Sequence, residues 1–212
     1  MSPERRAQLV SWADLAEAWI IEDDYDGEFR YDRRPIGALQ GLDPSRVIYA
    51  GTTSKSLGAG LRLGWLVVPE SLRAPLLQTI NVRSGVSGID QMALADFIER
   101  GRLDRQVRLM RRRYRERQDA LLAVLEDTAP WLTVEPSAAG LHLCGHLDVR
   151  HSEQQVLAAA DDASVGLLGL CTHHRATPDR PGLVIGFSRL PEHGYREALD
   201  RLAALFTSLS QG

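Results

Sequence analysis

The 212-residue chain has the length and composition of a globular protein with one large domain or two smaller ones. Its formal net charge of −3 at pH 7 excludes a strongly basic or acidic protein, so bulk charge favours neither nucleic acid nor an anionic membrane. No apolar run reaches the ~18 residues that a membrane span needs. The two cysteines, Cys144 and Cys171, form no disulfide framework and no metal-ligand motif, which predicts a reducing, cytoplasmic environment and no metal site.

The spacing of apolar residues predicts alternating helices and strands in the first part of the chain. The predicted elements are a helix over 2–19, strands over 19–21, 46–50 and 62–68, and helices over 89–101 and 103–125. Because the strands are continuously apolar, they favour a sheet that is covered on both faces.

The pattern changes at Pro130. Short strands are predicted near 132–134, 141–147, 166–170 and 183–187, with helices near 153–163 and 195–205. This arrangement is typical of a small α+β domain. We therefore predict two domains, over 1–129 and 130–212.

Lys55 is the single lysine among 25 basic residues, and it follows a predicted strand in a run rich in glycine and hydroxyl groups. One interpretation is an exposed loop lysine. The other is a lysine that forms a Schiff base with an aldehyde, which requires a neutral amine during attack. Thr52, Ser54 and Arg62, together with the glycine-rich turn, could supply the donors that a phosphate monoester needs.

An acidic cluster over 22–26 follows the first predicted strand. Carboxylates at a strand end are typical of the active-site edge of an α/β protein. Asp23 or Asp24 could keep the pyridine nitrogen of a pyridoxal cofactor protonated, and Tyr25 could bind its phenolic oxygen. The alternatives are a solvated acidic turn and a divalent-ion site.

Three motifs, in this order, carry a resemblance to a known family. They are Ile-Glu-Asp-Asp-Tyr-Asp-Gly-Glu-Phe-Arg-Tyr over 21–31, Arg-Val-Ile-Tyr-Ala-Gly-Thr-Thr-Ser-Lys over 46–55, and Leu-Arg-Leu-Gly over 61–64. The series resembles the aminotransferase-like domain of the MocR group of GntR-type transcriptional regulators. More loosely, it is similar to class I/II aminotransferases, and the similarity continues to the segment 185–188.

The resemblance implies an α/β protein with a partial PLP-dependent transferase fold of type I. Residues 1–129 would be the C-terminal portion of the large domain with its linking helix, and 130–212 the small C-terminal α+β domain. The implied cofactor is pyridoxal 5′-phosphate (PLP). The implied roles are the catalytic Schiff-base lysine for Lys55, the pyridine nitrogen for Asp23, the phenolic oxygen for Tyr25, and the phosphate for Thr52, Ser54 and Arg62.

For function, the resemblance implies a PLP-binding, aminotransferase-like domain that accepts an amino-acid-like small molecule and is a transaminase if active. The alternatives are a non-catalytic effector domain that senses a metabolite and a non-functional gene fragment. A homodimer is expected if the fold is complete, because family members form dimers with sites at the interface. The chain corresponds to the C-terminal half of such a regulator, so no DNA-binding module is expected in it.

Two arginine features remain open. Aminotransferases hold the substrate α-carboxylate with an arginine near the C-terminal strand, and Val184 occupies the expected position here. Arg175 and Arg180 lie just upstream and could substitute. Nine arginines also lie between Arg100 and Arg117. A basic helix can bind nucleic-acid phosphates, but with acidic neighbours and no recognisable motif we interpret this one as a solvated linking helix.

Overall fold

The computed structural model describes residues 1–31, 36–83, 85–135, 139–173 and 180–211, with the backbone alone for 80–83. The chain divides into two compact units, Met1–Met110 and Arg111–Gly212. The division falls inside a long helix, and the boundary expected at 129/130 stays a prediction. No helix of the described residues is long and apolar enough to cross a membrane.

The first unit contains a three-stranded sheet with helices before and after it. Its elements are α1 (Pro3–Leu15), β1 (Ile20–Asp24), a 3-10 helix (Leu39–Gly41), β2 (Val47–Thr52), a second 3-10 helix (Ala59–Leu61), β3 (Gly64–Val67), α2 (Glu70–Arg83), α3 (Gly88–Glu99) and the start of α4 (Arg102–Thr128). The strand order is β1-β2-β3, with β1 parallel to β2 and β2 antiparallel to β3. The parallel register sets Asp23 opposite Ala50 and Asp24 opposite Gly51, so β1 and β2 end at the same edge.

The local sequence explains where α1 begins, but it hides the helical pattern of α2. Ser2 caps α1 by accepting a hydrogen bond from the Arg5 N–H, and Pro3 suits the first turn because the N–H it lacks has no helical partner there. The helix α2 was not predicted from the sequence. It contains Pro75, which removes a backbone donor and obscures the helical pattern.

The prediction that the sheet is covered on both faces is wrong for β3. All of its residues are exposed, including Trp65, Leu66 and Val67. Alternate side chains of a strand point to opposite faces. The described residues of the chain therefore leave both faces of this strand partly open to solvent.

The second unit closes around its own core. Its elements are the remainder of α4, β4 (Leu132–Val134), β5 (His142–Leu147), α5 (Glu153–Asp162), β6 (Leu168–Gly169), a 3-10 helix (Leu170–His173), β7 (Gly182–Gly186) and α6 (Glu192–Gln211). The sheet is antiparallel, in the order β4-β5-β7-β6. Strand β5 alternates half-buried with buried residues, and the buried side chains of Leu143, Leu183 and Phe206 belong to the core.

Candidate functional site

The acidic segment at the end of β1 contains two carboxylates that already have structural partners. Glu22 accepts hydrogen bonds from the backbone N–H groups of Leu39 and Gln40, at 2.6 and 3.0 Å, and so anchors the first 3-10 helix. Asp24 accepts from the Gly27 N–H at 2.8 Å and from the Tyr49 hydroxyl at 3.0 Å. Both carboxylates therefore stabilise the chain around the strand end.

Asp23 lies between these two residues and differs from them. Its side chain is exposed, and strand alternation places it on the face opposite Glu22 and Asp24. Its carboxylate makes no hydrogen bond and no ion pair with the part of the chain that the structure describes. Residue types left Asp23 and Asp24 open, and the resemblance implied Asp23. Among the described residues, Asp23 is the one of the two whose carboxylate has no partner.

Tyr25 brings the strand end next to the single lysine. The Lys55 Nζ atom lies 5.9 Å from the centroid of the Tyr25 ring. Partial burial raises the pKa of the Tyr25 phenol, and the negative charges of Asp26 and Asp23 raise it further. The phenol stays protonated at neutral pH and can donate a hydrogen bond.

The turn that carries Lys55 is stabilised by hydrogen bonds of Thr53, which is fully buried. The Thr53 carbonyl accepts hydrogen bonds from the N–H groups of Ser56, Leu57 and Gly58. Its own N–H and its hydroxyl both donate to the Leu63 carbonyl, each at 3.1 Å. The backbone around Lys55 is thus fixed by an internal network, which is what a covalent attachment point needs.

Thr52 and Ser54 form a pair of half-buried hydroxyls on either side of Thr53. The Thr52 hydroxyl oxygen lies 2.9 Å from the Ser54 hydroxyl and accepts from the Ser54 N–H at 3.1 Å. Each hydroxyl can rotate its hydrogen toward a different acceptor. Both predicted phosphate donors therefore lie in the same turn as Lys55.

Arg62 adopts a left-handed backbone conformation, with φ of 53°, directly before buried Leu63. A non-glycine residue there is uncommon and is often found at functional sites. The guanidinium is exposed and has no hydrogen-bond or ion-pair partner among the described residues. The hydrogen bonds from Thr53 to Leu63 connect the backbone of Arg62 to the Lys55 turn.

The substrate role expected for Arg175 and Arg180 stays a prediction. Arg175 lies outside the described residues. Arg180 is exposed and belongs to the second unit, whereas Lys55 belongs to the first. Val184 lies on β7 between Cys144 of β5 and Leu168 of β6.

Two supporting residues were not identified from the sequence. Tyr49 orients Asp24, and strand alternation over 47–51 could have placed it on that face. Burial raises its pKa, and the hydrogen bond to Asp24 raises it further, so it remains a donor. Gln106 of α4 donates to the Ser56 carbonyl at 3.1 Å, and no local sequence signal points to this contact.

The described residues include the functional groups that PLP binding requires. A carboxylate with no partner among the described residues, a protonated phenol, an amine and a pair of hydroxyls lie at one edge of the sheet. These are the groups that a pyridinium, a phenolate, an aldehyde and a phosphate require. No cluster of three or more metal-ligating side chains is found within the described ranges.

The chain is similar in sequence to two bacterial transcriptional regulators. It is 37% identical over 212 residues to the HTH-type transcriptional regulator YhdI of Bacillus subtilis and 35% identical to the probable rhizopine catabolism regulatory protein MocR of Rhizobium meliloti. Each match covers 99% of this chain, and 45% and 43% of the two relatives. The chain thus spans about half the length of the curated relatives it matches.

The fold is that of PLP-dependent aminotransferases. The kynurenine aminotransferase of Pyrococcus horikoshii matches with a TM-score of 0.82 at 24% identity, over 99% of this chain and 52% of that enzyme. This likeness confirms the expected partial fold of type I. The family described as aminotransferase class I and II matches residues 3–167. The chain therefore belongs to the class I and II aminotransferase family.

Proposed function

We propose that the chain is the PLP-binding, aminotransferase-like effector domain of a DNA-binding transcriptional regulator. The observation that carries the proposal is the approach of the Lys55 Nζ atom to the Tyr25 ring, at 5.9 Å, near the Asp23 carboxylate, which has no partner among the described residues. The family membership supports PLP as the cofactor, and the names of the relatives at 35–37% identity support a regulatory setting.

When bound, PLP supplies an aldehyde that reacts with amines and a protonated ring that withdraws electrons. Lys55 supplies the amine at a turn whose backbone is already fixed by Thr53. Tyr25 can donate its phenolic hydrogen to an oxygen beside the aldehyde, because its raised pKa keeps it protonated. Together these two residues would orient and hold the aldehyde end of the cofactor.

Asp23 would hold a proton on the ring nitrogen. A carboxylate and a pyridinium favour each other's charged forms. Within the described ranges, no hydrogen bond or ion pair of Asp23 competes with that pair. Asp24 cannot replace it without losing its bonds to Gly27 and Tyr49. Thr52, Ser54 and Arg62 would bind the phosphate through two hydroxyls and a guanidinium.

A matched pair of variants tests the assignment of Asp23. Asp23→Asn should weaken PLP binding about 10- to 100-fold, the effect expected from losing one charge-assisted hydrogen bond. Asp24→Asn removes the same charge from the neighbouring position and should leave the affinity within about threefold. Equal affinities of the two variants, measured by absorbance titration with PLP, would contradict the assignment.

A sensing role is favoured over transamination as the activity of this domain. Val184 stands where the family holds a substrate carboxylate with an arginine, and no arginine lies beside it on β5 or β6. The proposed ligand is an amino-acid-like small molecule, and Lys55 and Tyr25 would hold the aldehyde end of PLP where the amine of that molecule could reach it. With amino acids offered as amino donors, no keto acid should accumulate in multiple turnovers, and steady release of keto acid would establish a transaminase instead.

A further inference from the structure

The structure sorts the nine arginines between Arg100 and Arg117 into different environments. Arg100 pairs with Asp96 at 2.7 Å. Arg117 is buried and donates to Glu192 at 3.2 Å. The other seven lie on α4 with exposed side chains: Arg102, Arg105, Arg108, Arg111, Arg112, Arg113 and Arg115.

Five of these residues form a continuous surface along the helix, which we call the arginine face. Its members are Arg102, Arg105, Arg108, Arg112 and Arg115. Residues three and four apart are neighbours on one side of a helix. The positions of the five residues are set by the geometry of α4 alone, and with a rise of ~1.5 Å per residue the face is about 20 Å long.

This part of α4 has fewer acidic residues than arginines, and two of the acidic residues, Glu116 and Asp119, follow the last member of the arginine face. Asp104 is the one acidic residue between the first and last members of the arginine face. Glu116 approaches Arg112 at 3.9 Å, and both side chains are exposed, so this ion pair contributes little. The first three arginines of the face make no hydrogen bond or ion pair with the described residues.

The arrangement opposes the stability of the free helix in two ways. Like charges at spacings of three and four residues repel each other. Arg102 also begins α4, where the partial positive charge of the helix N-terminus disfavours cations. A bound anion would reverse both effects, since the same backbone N–H groups and the arginines would attract it.

We propose that the arginine face binds the phosphate backbone of duplex DNA without reading its base sequence. The choice of DNA rests on the regulatory role proposed above, but the proposal does not depend on the cofactor. Duplex DNA carries one charge per ~1.7 Å of its axis, so a 20 Å helix lies along roughly a dozen phosphates. Arginine is suited to this contact because its planar fork binds phosphate oxygens in pairs.

The test compares DNA binding by the full chain with that of two triple variants that change the net charge equally. Arg102→Gln/Arg105→Gln/Arg108→Gln removes three charges from the arginine face. Arg73→Gln/Arg150→Gln/Arg201→Gln removes three exposed charges elsewhere. Affinity for a labelled 20-base-pair duplex is measured by fluorescence anisotropy at several salt concentrations.

The arginine-face variant should bind at least tenfold more weakly, and the magnitude of its salt slope should fall by about 2 to 3. Its melting temperature should stay equal or rise, because repulsion within α4 is relieved, whereas a structural role would lower it. Arg102→Lys/Arg105→Lys/Arg108→Lys should retain most of the binding. An equal loss in the control variant, or no binding by the unaltered chain, would overturn the proposal.

Two further readouts identify the partner and separate this proposal from the cofactor. Polyglutamate should compete with DNA much less effectively than unlabelled duplex, and equal competition would show a surface for acidic polypeptides. The arginine-face variant should bind PLP like the unaltered chain. If the unaltered chain binds DNA but not PLP, the proposed cofactor function is wrong and the proposed DNA-binding surface is retained.

Discussion

The two units of the chain differ in how many of their apolar side chains are buried. Among the described residues, six of the buried apolar side chains lie in the first unit and seventeen in the second. For large exposed apolar side chains the numbers reverse, with seventeen in the first unit and three in the second. The second unit therefore has the core of an independent domain, and the first does not.

The candidate site lies in the unit with the smaller core. Lys55, Tyr25 and Asp23 all belong to the first unit. Its immediate support is nevertheless well formed, through buried Thr53 and Leu63. Local hydrogen bonding thus fixes the turn that carries Lys55 even where the surrounding sheet leaves apolar side chains exposed.

A core truncation in the second unit should have the largest effect on stability. Phe206 is fully buried and meets Trp131 edge-on, with ring centroids 5.2 Å apart. Phe206→Ala should lower the free energy of unfolding of this unit by about 3–5 kcal/mol. Trp12→Ala in the first unit, where the side chain is 56% exposed, should cost less than about 0.5 kcal/mol. Urea denaturation and amide exchange measure both, and similar losses would break the comparison.

A buried carboxylate of the second unit provides the next effect. Glu153 is 9% exposed and accepts hydrogen bonds from the N–H groups of Gly182, at 3.0 Å, and Cys171, at 3.2 Å. Glu153→Gln sets an amide donor against these donors and should cost about 1–3 kcal/mol. Glu197→Gln, a surface change beside Arg201, should cost less than about 1 kcal/mol. Chemical denaturation of the two variants would contradict this account if their stabilities were equal.

The loss of stability at low pH should include a contribution that belongs to the second unit. The hydrogen bond from His151, at 2.6 Å, and those from Arg150 lower the pKa of Asp148 from its ordinary 3.8 to about 2. Because the folded pKa is depressed, this stabilisation is present above the ordinary pKa and is lost as pH falls toward the folded value. Asp148→Asn should therefore flatten the fall in melting temperature of the second unit from about pH 5 to about pH 2. Asp162→Asn should retain the unaltered acid limb, and a flattened limb there would discredit the assignment.

The smallest effect is expected on the exposed strand of the first unit. Leu66 of β3 is 48% exposed, so Leu66→Thr should change the free energy of unfolding by less than about 0.5 kcal/mol and should raise solubility. The same substitution at Leu143, which is 1% exposed, should destabilise the second unit strongly. Thermal unfolding with a solubility assay tests both, and a destabilised Leu66→Thr variant would show that β3 is covered in solution.

Much of the fold could be predicted where periodicity is strong. The alternation in β5, the stripe of α4 and the strand before Lys55 were all readable because each pattern depends on one element and its own geometry. The helix α2 was missed, since Pro75 breaks the pattern. The prediction that β3 is covered on both faces was wrong. The apolar pattern of a strand indicates that it can be buried, but it does not identify the element that would pack on it.

The candidate site was predictable in its residue types and not in its geometry. The sequence indicated a lysine, hydroxyls and an acidic cluster. The residue types alone left Asp23 and Asp24 open, and the family resemblance implied Asp23. That choice depends on strand register and on the hydroxyl of Tyr49, which lies 25 residues along the chain from Asp24. The support from Gln106 likewise depends on a tertiary contact that leaves no local signal.

The proposed function depends above all on covalent attachment of PLP to Lys55, which a labelling experiment measures. The chain is incubated with PLP, reduced with borohydride, digested and mapped by mass spectrometry, with Lys55→Arg as the control. Lys55 is the single lysine, so the N-terminal amine is the one competing primary amine in the chain. We expect a pyridoxyl group on Lys55 in the unaltered chain and none on that peptide in the variant. Labelling confined to the N-terminus would contradict it.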